Sequence, residues 1–392
     1  MRFYLRVISL CLLIVLLSFF CLTSFAWATT EKSTNDGIMA KSYILMEADS
    51  GYIINKKNEH QNLHPASITK LMTLLLTLEA IEKGKIAKTD RVTASELAMS
   101  MGGTEIWLEP GEQMTVDELL MAAAVGSAND ACVALAEHIS GSETAFVKLM
   151  NSKAKELGMK DTVYKNSNGL PQEGHHTSAY DIALLAKHML NKHPDILHYT
   201  STREHHLREG RTWLVNTNHL LGNYQGLDGL KTGWTEDAGF CLAATAKRNS
   251  LRLLAVVLGA DTPASRTKDV TSLLNYGFAN YKVEKIVSAG EKVVDMAVRR
   301  GIKGKVALLA KDNLKAVLPA GEDNKLHKEV FLPEKLEAPL VQGQEVGELR
   351  VKNSSGEIVG RIPVITGEVV EKSGVIRNIF NLLSSVVFFW KK

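Results

Sequence analysis

Pro65-Ala66-Ser67-Ile68-Thr69-Lys70-Leu71-Met72-Thr73-Leu74-Leu75-Leu76 sets two reactive side chains at the head of an almost wholly apolar run. The run Leu71 to Ile81 is apolar on every side, which predicts a helix buried among other elements rather than one lying on a surface. Ser67 falls at its N-terminal end, where free N–H groups point outward. Lys70, three residues on, emerges on the same face and can reach the Ser67 hydroxyl. A serine is a poor nucleophile until a base takes its proton. Lysine can be that base only if burial or a neighbouring cation lowers its pKa. Ser-x-x-Lys is not specific in itself, for it recurs at Ser152/Lys155 and Ser265/Lys268. A helix cap followed by a snorkelling lysine accounts for most such pairs. Lys70 differs because Leu71 to Leu76 follow it at once, where a solvated lysine is out of place.

Two further polar motifs follow in order. Ser127-Ala128-Asn129 interrupts alanine-rich sequence, so it is either a hydrogen-bonded turn or a polar knot facing a cleft. In the second reading Ser127 passes a proton to a leaving amine, and Asn129 orients Lys70 and a substrate amide. Lys231-Thr232-Gly233 precedes a strand hairpin. A glycine in an edge strand lets another backbone approach, and a peptide can pair there by strand addition. Lys231 and Thr232 would then face a terminal carboxylate, and Lys231 is also the candidate cation beside Lys70. An ordinary edge strand protected by a lysine is the alternative.

Around these motifs, 392 residues with 45% hydrophobic and 23% charged composition describe an ordinary globular chain, long enough for two domains. A net charge of +3 with no basic, aromatic-laced stripe excludes a nucleic-acid binder. Arg2, Arg6, the apolar Val7 to Phe25 and Ala26-Trp27-Ala28 read as a signal peptide cut after Ala28, with a retained membrane helix as the alternative. Cys132 and Cys241 sit in apolar surroundings and read as buried free thiols. Lys41 to Asn55 reads as a hairpin turning at Asp49-Ser50-Gly51, Met114 to His138 as a helical region and Ala179 to Leu190 as an amphipathic helix. Ala238 to Ala246 and Leu251 to Gly259 form a second hairpin, and Thr267 to Tyr281 returns to helix. Short alternating segments then follow to about Glu368. In the tail, apolar residues at 375, 376, 379, 380, 383, 386, 387 and 390 lie on one helical face, which suits a membrane interface.

With the motifs in register, the chain resembles the D-alanyl-D-alanine carboxypeptidases, the low-molecular-mass penicillin-binding proteins. Pro65 to Thr73, Gly126 to Leu135 and Asp228 to Gly233 carry the resemblance, which runs from about Lys41 to the C-terminus. It implies an α+β fold: a penicillin-binding, β-lactamase-like transpeptidase domain, with an antiparallel sheet covered by helices plus a helical subdomain. A small all-β domain and a C-terminal amphipathic helix follow. The expected segments are a signal peptide at 1–28, a serine D,D-peptidase domain at 35–282, a β-rich domain at 283–368 and an anchor at 369–392. The resemblance implies Ser67 as acylated nucleophile, Lys70 as base, and Ser127, Asn129, Lys231 and Thr232 as the rest of the polar cluster. Substrate binding falls to Thr232, Gly233, Trp234 and Arg266, the oxyanion resting on the N–H groups of Ser67 and Trp234. Asn168 and Trp234 depart from the family, where histidine, or at the second position tyrosine, is common.

The expected reaction removes the terminal D-alanine from peptidoglycan stem pentapeptides, limiting cross-linking, with β-lactams as covalent inhibitors and neither cofactor nor metal required. The expected location is the outer face of a bacterial cytoplasmic membrane, held by the C-terminal helix. A D,D-endopeptidase uses the same site. A class A β-lactamase needs a Glu-x-x-x-Asn loop, and the only Glu between Lys160 and Ser178 is Glu173, with no Asn at that spacing. A non-catalytic cell-wall binding protein predicts broken motifs. Zinc peptidases need ligand spacing that His175-His176 and His205-His206 lack, and those pairs read as surface or loop residues.

Overall fold

The computed structural model describes residues 37–321 and 325–374, so the signal segment and the tail from 375 lie outside the described residues. The chain divides into one unit spanning Met1–Ile38 and another spanning Met39–Lys392, and all that follows concerns the second. Its central sheet has five antiparallel strands among the described residues. Their order is Ile53–Lys57, Ser42–Glu47, Leu251–Ala260, Gly239–Arg248 and Leu227–Thr235. Successive residues of Leu251–Ala260 are buried almost throughout, which requires cover on both faces. The helices Ala179–Lys192 and Pro263–Asn280 pack against that strand and supply it. Leu227–Thr235 has a neighbour on one side only and is an edge.

The predicted apolar helix is Lys70–Glu82, buried from Lys70 to Ala80. Leu71, Leu74 and Leu75 are wholly enclosed, and truncating any of them to alanine costs about 2–5 kcal/mol. At its far end the buried Glu79 pairs with Lys153 at 2.8 Å and Lys83 at 2.9 Å, tying the helix to Glu143–Glu156.

Two helical readings need correction. Met114 to His138 is not one helical region. A strand Gln113–Thr115 gives way to a helix Val116–Met121, started by a capping box in which Thr115 and Glu118 satisfy each other's backbone. A wide π-type turn, Ala122–Gly126, follows, and the chain breaks at Ser127 and Ala128 before Asn129–Ser140 resumes. The last helix among the described residues starts at Pro263 rather than Thr267, because Thr262 and Ser265 form a second capping box and proline suits the first helical turn.

From Tyr281 to Lys372 the chain is all β, extending past the expected 283–368 at both ends. Tyr281–Val287 pairs with Leu314–Pro319, and six further strands form a second sheet among the described residues. Its core is Val306, Leu308, Leu349, Val351, Ile362 and Val364.

Candidate active site

Ser67 lies in a 3-10 turn, Ala66–Thr69, that runs directly into the buried helix. Lys70 Nζ is within hydrogen-bond distance of three oxygens: Ser67 Oγ at 2.9 Å, Asn129 Oδ1 at 2.6 Å and the Asn168 carbonyl at 2.7 Å. The Asn129 amide is oriented by its own Nδ2, which donates to Gly102 O at 2.8 Å. An ammonium supplies one proton to each of the three. When one proton leaves, Asn129 Oδ1 and Asn168 O can only accept, so they keep the two remaining N–H groups. The lone pair is left facing Ser67, the one partner with an O–H to give. Complete burial holds Lys70 down at about 8, against the opposite pull of Cys132 and Asp130.

The break after the alanine-rich turn places Ser127 in the left-handed region, at φ 62° and ψ 29°. Asn129 follows at the first turn of its helix, and its N–H donates to Thr104 O at 2.7 Å. Next to it the buried Asp130 accepts from Ile106 N–H at 3.1 Å and Leu108 N–H at 3.0 Å. The loop 102–108 is thereby fastened to the second motif.

The strand Leu227–Thr235 packs against the turn that carries Ser67. A Cβ at Gly233 would lie 3.1 Å from the backbone nitrogens of Ser67 and Ile68 and from Pro65 O, so any larger residue would press the strand away from the turn by a few tenths of an ångström. Lys231 is buried, its Nζ donating to Thr232 O at 3.1 Å. Burial, then the charge of Lys70 and, further down, that of Arg266, push its ammonium well below the ordinary range. The sequence reading expected burial, with Lys231 as a neighbouring cation, to lower Lys70, and burial is the leading cause for both lysines. The Thr232 hydroxyl bonds to that of Thr217. Arg266 is buried on Pro263–Asn280, and its Nε has no hydrogen-bond partner among the described residues. Cys241 lies opposite Gly233 across the sheet, close enough to Arg266 to feel its charge. Trp234 is 57% exposed.

Ser67, Lys70 and Asn129 are thus joined directly, with Lys231, Thr232 and Gly233 on the adjoining strand. Two contributors, Asn168 and Gly169, lie outside the three motifs, and the sequence reading gave neither a role. Asn168 acts through its carbonyl, while its side chain accepts from Leu170 N–H at 2.9 Å. Gly169, at φ 93°, sits so close to the Ser67 turn that a Cβ would be 1.9 Å from Ala66 O. The positive-φ demand of the Asn-Gly pair is the one signal that could have marked it. His175 corrects the reading of the histidine pairs as surface or loop residues: it is buried, with Nε2 3.1 Å from Thr69 Oγ1, and burial holds it down at about 4. His205 and His206 lie on a strand, Glu204–Leu207. Cys132 and Cys241 are buried free thiols, pushed up to about 11 by burial.

Comparison with known proteins identifies relatives along most of the chain. The profile of the D-alanyl-D-alanine carboxypeptidase family matches residues 28–262, and that of the penicillin-binding protein 5 C-terminal domain matches 281–372. The chain is 44% identical to D-alanyl-D-alanine carboxypeptidase DacF of Bacillus subtilis over 375 residues, 95% of this chain and 96% of the relative. Penicillin-binding protein 5 from Haemophilus influenzae superposes with a TM-score of 0.79 at 32% identity, covering 86% of this chain and 98% of that one. Penicillin-binding protein D2 from Listeria monocytogenes, solved in its ampicillin-bound form, gives a TM-score of 0.57 at 32% identity, covering 62% and 98%. With both profiles matched in order and relatives similar along nearly its whole length, the chain belongs to the D-alanyl-D-alanine carboxypeptidase family of serine peptidases.

Proposed function

We propose that this carboxypeptidase removes the terminal D-alanine of peptidoglycan stem pentapeptides through an ester on Ser67. The observation that carries the reading is the Lys70 amine, buried and bracketed by Asn129 Oδ1 and Asn168 O so that its lone pair faces Ser67 Oγ. The stem peptide pairs with the free edge of Leu227–Thr235, its terminal carboxylate near Thr232, Lys231 and Arg266, for which a guanidinium is a natural partner. Lys70 takes the Ser67 proton as Oγ attacks the penultimate carbonyl. The N–H groups of Ser67 and Trp234 hold the oxyanion. Ser127 relays a proton to the departing D-alanine amine, and water then hydrolyses the ester.

A β-lactam presents a strained amide in place of the terminal peptide bond and acylates the same hydroxyl. The ampicillin-bound relative supports this reading. Against a β-lactamase, Glu173 is exposed and has no asparagine at the spacing a deacylating loop needs. The test is mass spectrometry of a soluble form incubated with a synthetic pentapeptide ending in D-Ala-D-Ala. Loss of a single alanine is expected. An untouched pentapeptide beside a cleaved cross-linked dimer would favour the endopeptidase.

The site works outside the cell in this proposal. The amphipathic tail, outside the described residues, anchors the protein to the outer face of the cytoplasmic membrane. Among the described residues no helix is long and apolar enough to cross a membrane. Deleting Val375 to Lys392 is expected to release active protein from membranes on fractionation, and a protein that stays bound would refute the anchor.

A further inference from the structure

Of the chain's five tryptophans, Trp107, Trp213 and Trp234 are among the described residues, and all three are exposed, by 75%, 60% and 57%. Leaving so much aromatic surface in water forgoes its burial. Trp234 leans on Phe240 with ring centres 5.8 Å apart, and Trp213 stacks on His206. The Trp107 ring has no such ring contact among the described residues and is the most exposed.

Its backbone makes it the informative one. Trp107 has φ 55°, an outlying conformation for a bulky side chain. The segment is pinned from both sides. Ile106 and Leu108 donate their N–H groups to Asp130, while the carbonyls of Ile106 and Trp107 accept from Arg208 at 2.8 Å and 3.4 Å. Arg208 is itself left-handed, at φ 53°, and is fixed by Glu112 through Nε at 2.6 Å and a second nitrogen at 3.0 Å. Such strain persists only where surrounding contacts over-determine it, and it gathers at functional sites. Here it turns a large ring into solvent, on the loop whose Gly102 and Thr104 carbonyls bond Asn129.

A D-Ala-D-Ala terminus offers methyl groups, peptide units and a carboxylate, and these engage the strand edge, its polar cluster and Ser67. Beyond it the natural substrate offers the rest of the stem peptide and the glycan from which it hangs, and only the glycan carries pyranose rings. A pyranose ring presents a flat face of C–H groups, slightly positive, that complements the negative face of an indole. A backbone already fixed has no further freedom to lose when its ring stacks. We infer that Trp107 is a platform for a sugar ring of the glycan strand bearing the stem peptide. This inference rests on the carboxypeptidase reading proposed above.

The experiment compares two substrates, an N-acylated tripeptide ending in Lys-D-Ala-D-Ala and a disaccharide pentapeptide, with wild type, Trp107→Ala and Trp107→Phe. Alanine keeps the Cβ and so the same backbone demand. Trp107→Ala should match wild type on the tripeptide but raise KM on the disaccharide pentapeptide about fivefold with kcat unchanged, the signature of lost remote binding. Trp107→Phe should recover most of the loss. Equal loss on both substrates would assign Trp107 to shaping the site through Asp130 and overturn the inference, as would no loss on either. Unchanged kinetics with weakened binding to phosphatidylglycerol vesicles would make it a lipid contact instead. Failure of the wild type to release D-alanine from either substrate would overturn the carboxypeptidase reading first, and this inference with it.

Discussion

Ser67→Ala is expected to take no covalent label from penicillin and to release no D-alanine, and Lys70→Ala to slow both by about a thousandfold or more. Both variants should still melt in a single cooperative transition, because neither change touches the apolar helix face. Their difference lies in what remains. Alanine at 67 removes the attacking oxygen outright. Alanine at 70 leaves the hydroxyl in place and removes the one group whose geometry can accept its proton. The pH profile separates a base from a mere positioner. Lys70 is held at about 8, so the wild-type acylation rate should climb with pH as the amine loses its proton and level off above that value. The apparent midpoint belongs to the Lys70 and Lys231 pair rather than to either alone. In Lys70→Ala that rising limb should vanish, and retained acylation with an unchanged profile would remove Lys70 from the role. The same lowered pKa bears on stability. Between about 8 and the ordinary lysine value of 10.5 the unfolded chain binds more protons, so this residue makes stability rise with pH across that window.

Gly169→Ala is expected to injure both fold and chemistry, although residue 169 carries no functional group. Its Cβ would stand 1.9 Å from Ala66 O and 2.5 Å from the Ala66 carbonyl carbon, backbone atoms that no side-chain rotation can move aside. The left-handed φ of 93° adds its own cost for alanine. Together these should destabilise the protein by roughly 3 kcal/mol, a fall of about 10 °C in Tm for a domain of this size. Relief can come only by displacing the Ser67 turn or the Asn168 carbonyl that receives Lys70. A shift of this kind should slow penicillin acylation about a hundredfold. Gly84→Ala is the control: φ is 65° there and nothing lies within 4 Å of an added Cβ. It should cost about 1–2 kcal/mol through backbone conformation alone and leave acylation unchanged. Equal effects of the two substitutions on acylation would show that the clash at Ala66 is not what matters.

The contrast between these predictions marks how far the sequence could be read. Ser67 and Lys70 were legible because helical spacing puts them on one face and the apolar run after Lys70 denies it solvent. The strand hairpins were legible because their turns carry Gly51 and Asn249, both at positive φ. The breakdown of Met114 to His138 was not. Alanine favours helix on either side of the break, and only tertiary contacts of Ser127 to Asp130 overrule that preference. Asn168 was noticed for the side chain it has, yet it serves through a carbonyl that any residue would bring. That is why departure from histidine at this position leaves the Lys70 contact intact. His175 looked like half of an exposed pair because burial is a property of the packed chain, not of two adjacent imidazoles.

Ser127 carries a last consequence. Its backbone sits at φ 62°, where glycine would be at ease and a serine is held against its preference. A library screened for thermal endurance alone would therefore drift towards glycine at 127 and lose the hydroxyl. Efforts to harden this enzyme for use as a reagent have to hold that position fixed and look for their gains in the β-rich C-terminal region, away from the catalytic motifs. The serine stays where it is at the expense of a sturdier protein, and that tension is written into one dihedral angle.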